Sequence, residues 1–325
     1  MVGTEARRLQ EDRKVQPWRS CESCRDLQNQ DGTALSLESA LALIESVKDR
    51  KVLFIGETII DEYRYVAALS KPPKESILAV RQLGLSSWLG GAHAAKTTAA
   101  SFCKAGLLSQ SKHIHKTRFV EENYNRKLFE VQSFPHPETL DFIDHSVLEA
   151  QDCIAFADFG HEWITEQLIE QVAFREKSYL AVSAQSNAAN YGFNLITKYP
   201  RADYICIDES EARLAAADKH SPIEAVMWKL AEGRCEKMIV THGRHGAYGL
   251  HKQKFLHMPS KTGLVVDTMG AGDAFFAVTA PMAEHGSIED LLMIGNAAGS
   301  LKTQILGHRE SVTKAKLIEY LKTNA

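Results

Sequence analysis

The chain is organised around the stretch Asp267-Thr268-Met269-Gly270-Ala271-Gly272-Asp273-Ala274-Phe275. The apolar run at 263–266 predicts a strand leading into it, and the run at 274–285 predicts a helix leading out of it. Gly270 and Gly272 can adopt backbone angles that other residues avoid. Unpaired N–H groups at the start of such a helix point at one place, where the helix dipole favours negative charge. The stretch therefore predicts an anion-binding turn.

Asp273 adds a carboxylate to this turn. Fixed N–H donors can stabilise the charge of a phosphoryl group during its transfer, and a carboxylate beside them can accept the proton of an attacking hydroxyl. The alternative is a tight turn in which Asp273 caps the helix, and a bare Gly-x-Gly-Asp would favour it. The full string Asp-Thr-x-Gly-Ala-Gly-Asp-x-Phe is far more specific.

This string resembles the C-terminal motif of the ribokinase-like (PfkB) carbohydrate kinases, and the resemblance runs from about Lys51 to the C-terminus. It implies an enzyme, an ATP-dependent kinase of a sugar or a sugar phosphate. In that family pattern, Asp273 would deprotonate the acceptor hydroxyl. The N–H groups of Gly270, Ala271 and Gly272 would neutralise the phosphoryl group in transfer.

Composition and charge limit the class of partner. The 325 residues are 44% hydrophobic and 24% charged, which is ordinary for a globular enzyme with a large core. The net charge of −3 gives no electrostatic case for nucleic acid or an anionic membrane. No apolar run approaches the roughly 20 residues of a membrane helix. We therefore expect a cytoplasmic protein that acts on a small molecule, without nucleic-acid or membrane partners.

The pattern along the chain predicts one large domain. Residues 1–34 are polar and aperiodic, which is typical of a flexible N-terminal extension. Residues 35–325 are expected to form the kinase domain. From Cys153 onward, strand-like runs alternate with helical patterns, including a predicted helix at 191–198. Such alternation indicates an α/β fold, here ribokinase-like, with a central mostly parallel sheet flanked by helices.

Two segments interrupt this alternation, at about 62–82 and 116–132. Their short strand-like runs predict a small β-sheet lid. The glycines at 90 and 91 then open a predicted helix that runs through Ala105. Short strand pairs expose sheet edges that invite a second copy, and several relatives clasp their lids. We therefore expect a homodimer formed through the lid.

The acceptor side of the predicted site begins after the first strand. The stretch at 52–63 resembles the family's opening strand, where the carboxylate at the Asp61 position holds sugar hydroxyls. Ligands of α/β sheets bind beyond the carboxyl ends of strands. Gly90 and Gly91 resemble the family's Gly-Gly motif, which approaches the sugar closely. Lys74 and Arg118 belong to a cationic lid that can hold an acceptor's own phosphate, and a merely solvated basic lid is the open alternative.

The nucleotide side follows from weaker motifs. Asp208 and Glu211 resemble the family's Asn-x-x-Glu motif, which organises magnesium through water, although Asp replaces Asn here. Helix capping is the alternative for both residues. The resemblance implies ATP and Mg²⁺ as cofactors, with a monovalent cation as a further candidate. The other residues that it places on this side are Thr241, Gly243, Gly246, Asp267, Thr268 and Asn296.

Within the family, the chain is most similar to bacterial heptose-phosphate kinases, so a heptose 7-phosphate kinase is the specific prediction. The segments that carry this similarity are 59–63, 71–75, 116–120 and 184–190. The alternatives are a nucleoside or other small-molecule kinase and a catalytically silent binding protein. Three departures from the family pattern motivate the silent alternative, at Glu57, Ala94 and Asp208. The intact string around Asp273 opposes it.

Overall fold

Twelve strands form two sheets in the part of the chain that this computed structural model describes, which is residues 37–70, 74–135, 138–175, 177–261 and 263–324. The predicted extension at 1–34 lies outside those ranges. In chain order the strands are β1 (Lys51–Gly56), β2 (Thr58–Ala68), β3 (Val80–Gly91), β4 (Lys104–Leu108), β5 (Ile114–Glu121), β6 (Arg126–Ser133), β7 (Cys153–Asp158), β8 (Tyr179–Ala184), β9 (Tyr204–Asp208), β10 (Lys237–Thr241), β11 (Ala247–His251) and β12 (Lys254–Met258).

Nine α-helices accompany the strands in the same described ranges. They are α1 (Leu37–Ser46), α2 (Ala92–Ala99), α3 (His145–Glu149), α4 (Glu166–Ala173), α5 (Glu209–Ala216), α6 (Ile223–Ala231), α7 (Ala271–Thr279), α8 (Ile288–Lys302) and α9 (Lys314–Asn324). None of the described helices is long and apolar enough to cross a membrane.

The main sheet has the order β12-β11-β10-β9-β8-β7-β1-β4. Six neighbouring strands from β10 to β4 are parallel, and β11 pairs antiparallel with both β10 and β12. Alternate side chains of β1 enter two separate cores. Val52 and Phe54 pack with α1, α2, α7, α8 and α9, whereas Leu53 and Ile55 pack with α3 to α6. The predicted α/β fold with helices on both faces is confirmed.

The small sheet has the order β3-β2-β5-β6, and it forms the predicted lid. Strand β2 pairs antiparallel with β3 and parallel with β5, and β5 pairs antiparallel with β6. Strand β3 runs directly into α2, because Gly91 has a φ of +61° that turns the chain. Residues 77–79, expected to be extended in a strand, precede β3 rather than forming part of it. The first lid strand, β2, begins at Thr58, directly after the carboxyl end of β1 at Gly56.

Three further local predictions are wrong. Residues 191–198 hold only a short 3₁₀ turn at Ile196–Lys198, because asparagine side chains there bond to backbone groups in competition with a helix. Asn190 Oδ1 accepts the N–H of Asn187, and Asn194 Nδ2 donates to the carbonyls of Asp158 and Gln185.

The other two errors concern strands. Residues 263–266 are irregular and exposed, because the N–H groups of Val266 and Asp267 both donate to the carbonyl of Thr303 instead of to a neighbouring strand. The helix after Gly91 ends at Ala99, and the edge strand β4 follows it, so the predicted continuation through Ala105 does not form. Both segments carry apolar residues whose pairing depends on distant parts of the chain.

Candidate active site

The anion-binding turn is formed by Gly270 at the start of α7. Gly270 has a φ of +73°, and a Cβ there would meet His308 Cε1 at 3.0 Å and Lys302 Cε at 3.1 Å. Gly272 differs from the prediction, since it lies in the first helical turn without a positive φ, and a Cβ there would meet no described atom within 4 Å. Of the two glycines, only Gly270 therefore adopts a backbone conformation that favours glycine.

The first turn of α7 presents open amides. The N–H of Ala271 makes a long bond of 3.4 Å to the carbonyl of Thr268, and the N–H of Ala274 closes the first helical bond to Gly270. Among the described residues, no acceptor outside the helix is bonded to the N–H groups of Gly272 and Asp273. The N–H of Gly270 likewise has no acceptor among the described residues. The donors available to an anion are therefore the amides of Gly270, Gly272 and Asp273, and that of Asp273 was not among the three predicted.

We expect Gly270→Ala and Gly272→Ala to differ in stability. A residue with a side chain at the positive φ of Gly270 costs about 1–2 kcal/mol, and the contacts with His308 and Lys302 add to this cost. Gly272→Ala has an ordinary helical backbone and open space, so its melting temperature should equal or slightly exceed that of the wild type. Thermal unfolding measures both, and equal melting temperatures for the two variants would contradict the assignment.

Asp273 lies half-buried in this first turn. Gln185, which follows β8, donates from Nε2 to Asp273 Oδ1. Burial raises the pKa of Asp273 above that of an ordinary aspartate, and the charge of Asp61 acts in the same direction. His308, the Gln185 hydrogen bond and Lys302 oppose the rise. A carboxylate with a raised pKa is a better proton acceptor, as a general base requires.

Asp61 is buried within the lid strand β2 rather than in a loop after β1. Its Oδ1 pairs with Arg118 Nη1 at 2.5 Å, and its Oδ2 lies 3.4 Å from His308 Nε2. Burial alone would raise the pKa of Asp61, but the hydrogen bond from His308 and the charge of Arg118 bring it below its usual value. A Cβ at Gly90 would overlap Asp61 Oδ2, which explains the glycine there.

A cavity of about 250 Å³ lies beside the anion-binding turn. Gly270 and Asp273 line it, and so do residues that the sequence analysis did not identify. Those residues are Lys302 at the end of α8, His308 in the loop that follows, and His93 beside Ala94 on α2. Burial and neighbouring cations lower the pKa of His93. The cavity joins the anion-binding turn to the inner face of the lid, where an acceptor hydroxyl could lie beside Asp273.

Asp267 connects the same turn to the lid. Its buried carboxylate accepts bonds from the Tyr63 hydroxyl at 2.8 Å, Lys127 Nζ at 2.9 Å and the N–H of Gly307 at 3.1 Å. Burial opposes ionisation, but the bonds from Lys127 and Tyr63 lower the pKa of Asp267. Asp267, predicted for the nucleotide side, thus holds β2 and β6 of the lid against the loop before α7.

Asp208 and Glu211 form a capping box at the start of α5. Asp208 Oδ1 accepts the N–H of Glu211, and Glu211 Oε2 accepts the N–H of Asp208, both at 2.8 Å. Glu211 Oε1 accepts the N–H of Ser186, so both of its oxygens are occupied. Burial, followed by the charge of Asp208, raises the pKa of Glu211 to about 8. Capping thus accounts for Glu211, while the carboxylate of Asp208 is exposed at the carboxyl end of β9.

The remaining predicted residues lie at four places. Thr241 ends β10, and Gly243 and Gly246 take positive φ values in the turn after it. Asn296 Nδ2 donates to the carbonyl of Met258, and Thr268 is exposed before the anion-binding turn. Lys74 is exposed in a bend before β3, apart from the inner face that carries Arg118.

In the described residues, no cluster of three or more His, Cys, Asp or Glu side chains could hold a metal.

Part of the chain matches a known protein family. Residues 165–315 match the family described as pfkB family carbohydrate kinase. The bifunctional protein HldE of Rhodopseudomonas palustris (strain BisB5) is 23% identical over 288 residues, which is 75% of this chain and 58% of HldE. A fructokinase of Salmonella typhimurium is 35% identical over 79 residues, 22% of this chain and 26% of that protein. The chain thus spans less than two thirds of these relatives.

Solved structures share the fold. The ribokinase from Thermotoga maritima superposes with a TM-score of 0.67 at 20% sequence identity, covering 85% of this chain and all of that one. The ribokinase-like fold predicted from the sequence is therefore confirmed.

Proposed function

We propose that this chain, which carries a PfkB family carbohydrate kinase domain, transfers the γ-phosphoryl group of ATP to a hydroxyl of a sugar or sugar phosphate. The observation that supports this proposal is the cavity in which Asp273 lies beside Gly270 and His308, with Asp61 bonded to His308 from the lid. A proton acceptor and free amides at one helix start are what phosphoryl transfer to a hydroxyl requires.

Each group then has a defined task. Asp61, held by Arg118 and His308, would bind hydroxyls of the acceptor and orient one of them toward Asp273. Asp273 would take the proton of that hydroxyl as the oxygen attacks, and the amides of Gly272 and Asp273 would stabilise the phosphoryl oxygens. Mg²⁺ would neutralise charge on the ATP phosphates, with exposed Asp208 as the fitting residue to order its bound waters.

The acceptor is proposed to be a heptose or its 7-phosphate, from the similarity of four segments to bacterial heptose-phosphate kinases. The match to HldE extends over 75% of this chain and the match to fructokinase over 22%, which favours an HldE-like acceptor over fructose. A nucleoside or other small-molecule kinase and a silent binding protein are the alternatives, and an activity screen distinguishes all three.

ADP formation with a panel of sugars, sugar phosphates and nucleosides tests this function. We expect acceptor-dependent ADP formation, highest with heptoses or their phosphates, and dependent on Mg²⁺. Highest activity with a nucleoside would instead indicate a nucleoside kinase. ADP formation that no acceptor stimulates would favour the binding protein.

We also propose a homodimer that buries the outer face of the lid. In the lid strands, alternate residues point away from the site, and several of them are large, apolar and exposed. These are Leu83 and Leu85 of β3 and Phe129 and Val131 of β6. Large apolar side chains that are exposed on one sheet face are typical of an interface between copies.

Light scattering is expected to give twice the 36.1 kDa of the chain at micromolar concentration. Leu85→Asp should shift this mass toward the monomer, because it places a charge in the proposed interface. Leu264→Asp, at an exposed leucine outside the lid, is the matched control and should leave the mass unchanged. A monomeric wild type would contradict the proposed dimer.

A further inference from the structure

Lys302 is a buried lysine whose ammonium group has no task yet in the proposed reaction. It is the last residue of α8, only 4% of its surface is exposed, and it lines the same cavity of about 250 Å³ as Gly270 and Asp273. A Cβ at Gly270 would meet Lys302 Cε at 3.1 Å. Because Nζ is bonded to Cε, the ammonium group lies close to the anion-binding turn.

No carboxylate forms an ion pair with Lys302 in the part of the chain that the structure describes. Its Nζ donates to the carbonyl of Gly307, which leaves further N–H groups for another acceptor. Burial lowers the pKa of Lys302, and the charges of Asp267, Asp273 and Asp61 act in the opposite direction. Burying an ammonium without a paired anion is costly. An anion in the cavity would therefore be stabilised by this charge.

Two of these three carboxylates are paired with other cations. Asp61 pairs with Arg118 at 2.5 Å, and Asp267 pairs with Lys127 at 2.9 Å. The third, Asp273, pairs with no described cation and accepts its hydrogen bond from a neutral side-chain amide. The cavity is thus lined by one carboxylate without a cation and one ammonium without a carboxylate.

Asp273 and Lys302 face the same cavity, yet each is held by a neutral group instead of by the other. Gln185 Nε2 donates to Asp273 Oδ1, and Lys302 Nζ donates to the Gly307 carbonyl. An ion pair between them would make the carboxylate a weaker proton acceptor and would occupy the ammonium. The space between them suits a reacting hydroxyl at Asp273 and an anionic group at Lys302.

Transfer of a phosphoryl group requires such a charge. Catalysis of this reaction depends on positioning and on neutralising the negative charge of the phosphoryl oxygens. The amides of the anion-binding turn supply only partial positive charges. A full positive charge at a buried site acts more strongly than in water, and it needs no rearrangement as the reaction proceeds. Lys302 supplies this charge beside Gly270.

We propose that Lys302 is a further catalytic residue, whose ammonium group contacts the terminal phosphoryl group of the nucleotide and stabilises its charge during transfer. One N–H of Nζ stays on the Gly307 carbonyl, and another donates to a phosphoryl oxygen. The acceptor oxygen forms its bond to phosphorus while its proton passes to Asp273. The bond to the bridging oxygen breaks, and its electron pair leaves with ADP. This inference rests on the proposed function for the identity of the transferred group.

Steady-state kinetics of Lys302→Met test the inference, because methionine keeps an unbranched side chain and removes the charge. We expect kcat to fall about 10²–10³-fold, as it does when one donor to the transition state is lost, with the acceptor KM nearly unchanged. Lys237→Met is the matched control. Lys237 is also buried and also donates to backbone carbonyls, but it lies at the start of β10, at the opposite end of the sheet.

The control should keep the kcat of the wild type. If Lys302 only held the Gly307 carbonyl, Lys302→Met would behave like Lys237→Met. Equal kcat values for the two variants would therefore overturn the inference. Melting temperatures of both variants, measured first, show that each is folded.

Chemical rescue separates the charge of Lys302 from its packing. Lys302→Ala leaves space for a small cation, so methylammonium should raise the kcat of this variant about 10-fold or more, as a hydrogen bond from a charged donor can. Tetramethylammonium at the same concentration should not, because it has no N–H to donate. Equal rates with the two cations would contradict a direct contact with the phosphoryl group.

Nucleotide binding distinguishes failure of this inference from failure of the proposed kinase. Calorimetric titration of ATP and of ADP, each with Mg²⁺, needs no acceptor. Only ATP carries the terminal phosphoryl group, so Lys302→Met should weaken ATP binding about 10-fold or more and leave ADP binding nearly unchanged. This result without ADP formation from any acceptor keeps the contact and contradicts the kinase. Acceptor-dependent ADP formation with equal ATP binding by the wild type and Lys302→Met keeps the kinase and overturns the inference.

Discussion

Asp273→Asn is expected to lower kcat by about 10²–10⁴-fold, the loss that follows removal of a positioned general base. The fold should persist, because the two side chains are nearly equal in size and the amide oxygen can still accept the Gln185 hydrogen bond. ATP affinity should also persist, because the amides of Gly272 and residue 273 remain. Steady-state kinetics with a confirmed acceptor, together with nucleotide titration, measure both quantities.

Asp144→Asn is the matched control, since Asp144 is the N-cap of α3 and Asn caps a helix nearly as well as Asp. It should retain full activity. If Asp273 only capped α7, its Asn variant would behave like this control. Full activity in Asp273→Asn would therefore exclude the general base.

The raised pKa of Asp273 predicts a pH dependence. A general base works in its ionised form, so kcat should fall as the pH decreases through a pKa higher than that of an ordinary aspartate. The Gln185 hydrogen bond stabilises the ionised form, so Gln185→Leu should shift this acid limb to still higher pH. A limb that stays in place in Gln185→Leu would contradict the role of that bond.

Asp61→Asn is expected to raise the acceptor KM by about 10- to 150-fold, equivalent to about 1.5–3 kcal/mol for hydrogen bonds to a charged group. ATP affinity should change little, because Asp61 lies on the lid. The fold should tolerate the change, since Arg118 keeps its ion pair with Glu130 at 2.7 Å. Acceptor KM and nucleotide Kd are the measured quantities.

Glu62→Gln is the control for this variant. Glu62 is the next residue of β2 and therefore points to the opposite face, where it pairs with Arg64. Its acceptor KM should match that of the wild type. An equal loss of ATP affinity in Asp61→Asn would show that Asp61 acts on the fold rather than on the acceptor.

The strands of the main sheet could be predicted because each carries a local signal. The apolar runs of β1 and β7 are buried on both faces of the sheet. Such a run predicts a buried strand from its local composition alone. The run at 263–266 is equally apolar, yet it is exposed, because no neighbouring strand lies beside it. Local composition indicates the tendency to form a strand, but pairing is decided by distant segments.

The part of the site that lies within a single sequence motif could be predicted. The string around Asp273 located the turn, but it could not show that Gly270 alone needs a positive φ. Lys302 and His308 could not be identified, because they belong to no motif and approach Gly270 only through packing of α8.

The most direct test of the central claim is transfer of labelled γ-phosphate from ATP to a heptose 7-phosphate, measured for the wild type and Asp273→Asn side by side. The proposed kinase predicts a doubly phosphorylated sugar in the wild-type reaction and at least about 100-fold slower formation with the variant. Equal rates for the two proteins, or no labelled product from the wild type with any sugar or sugar phosphate, would contradict it.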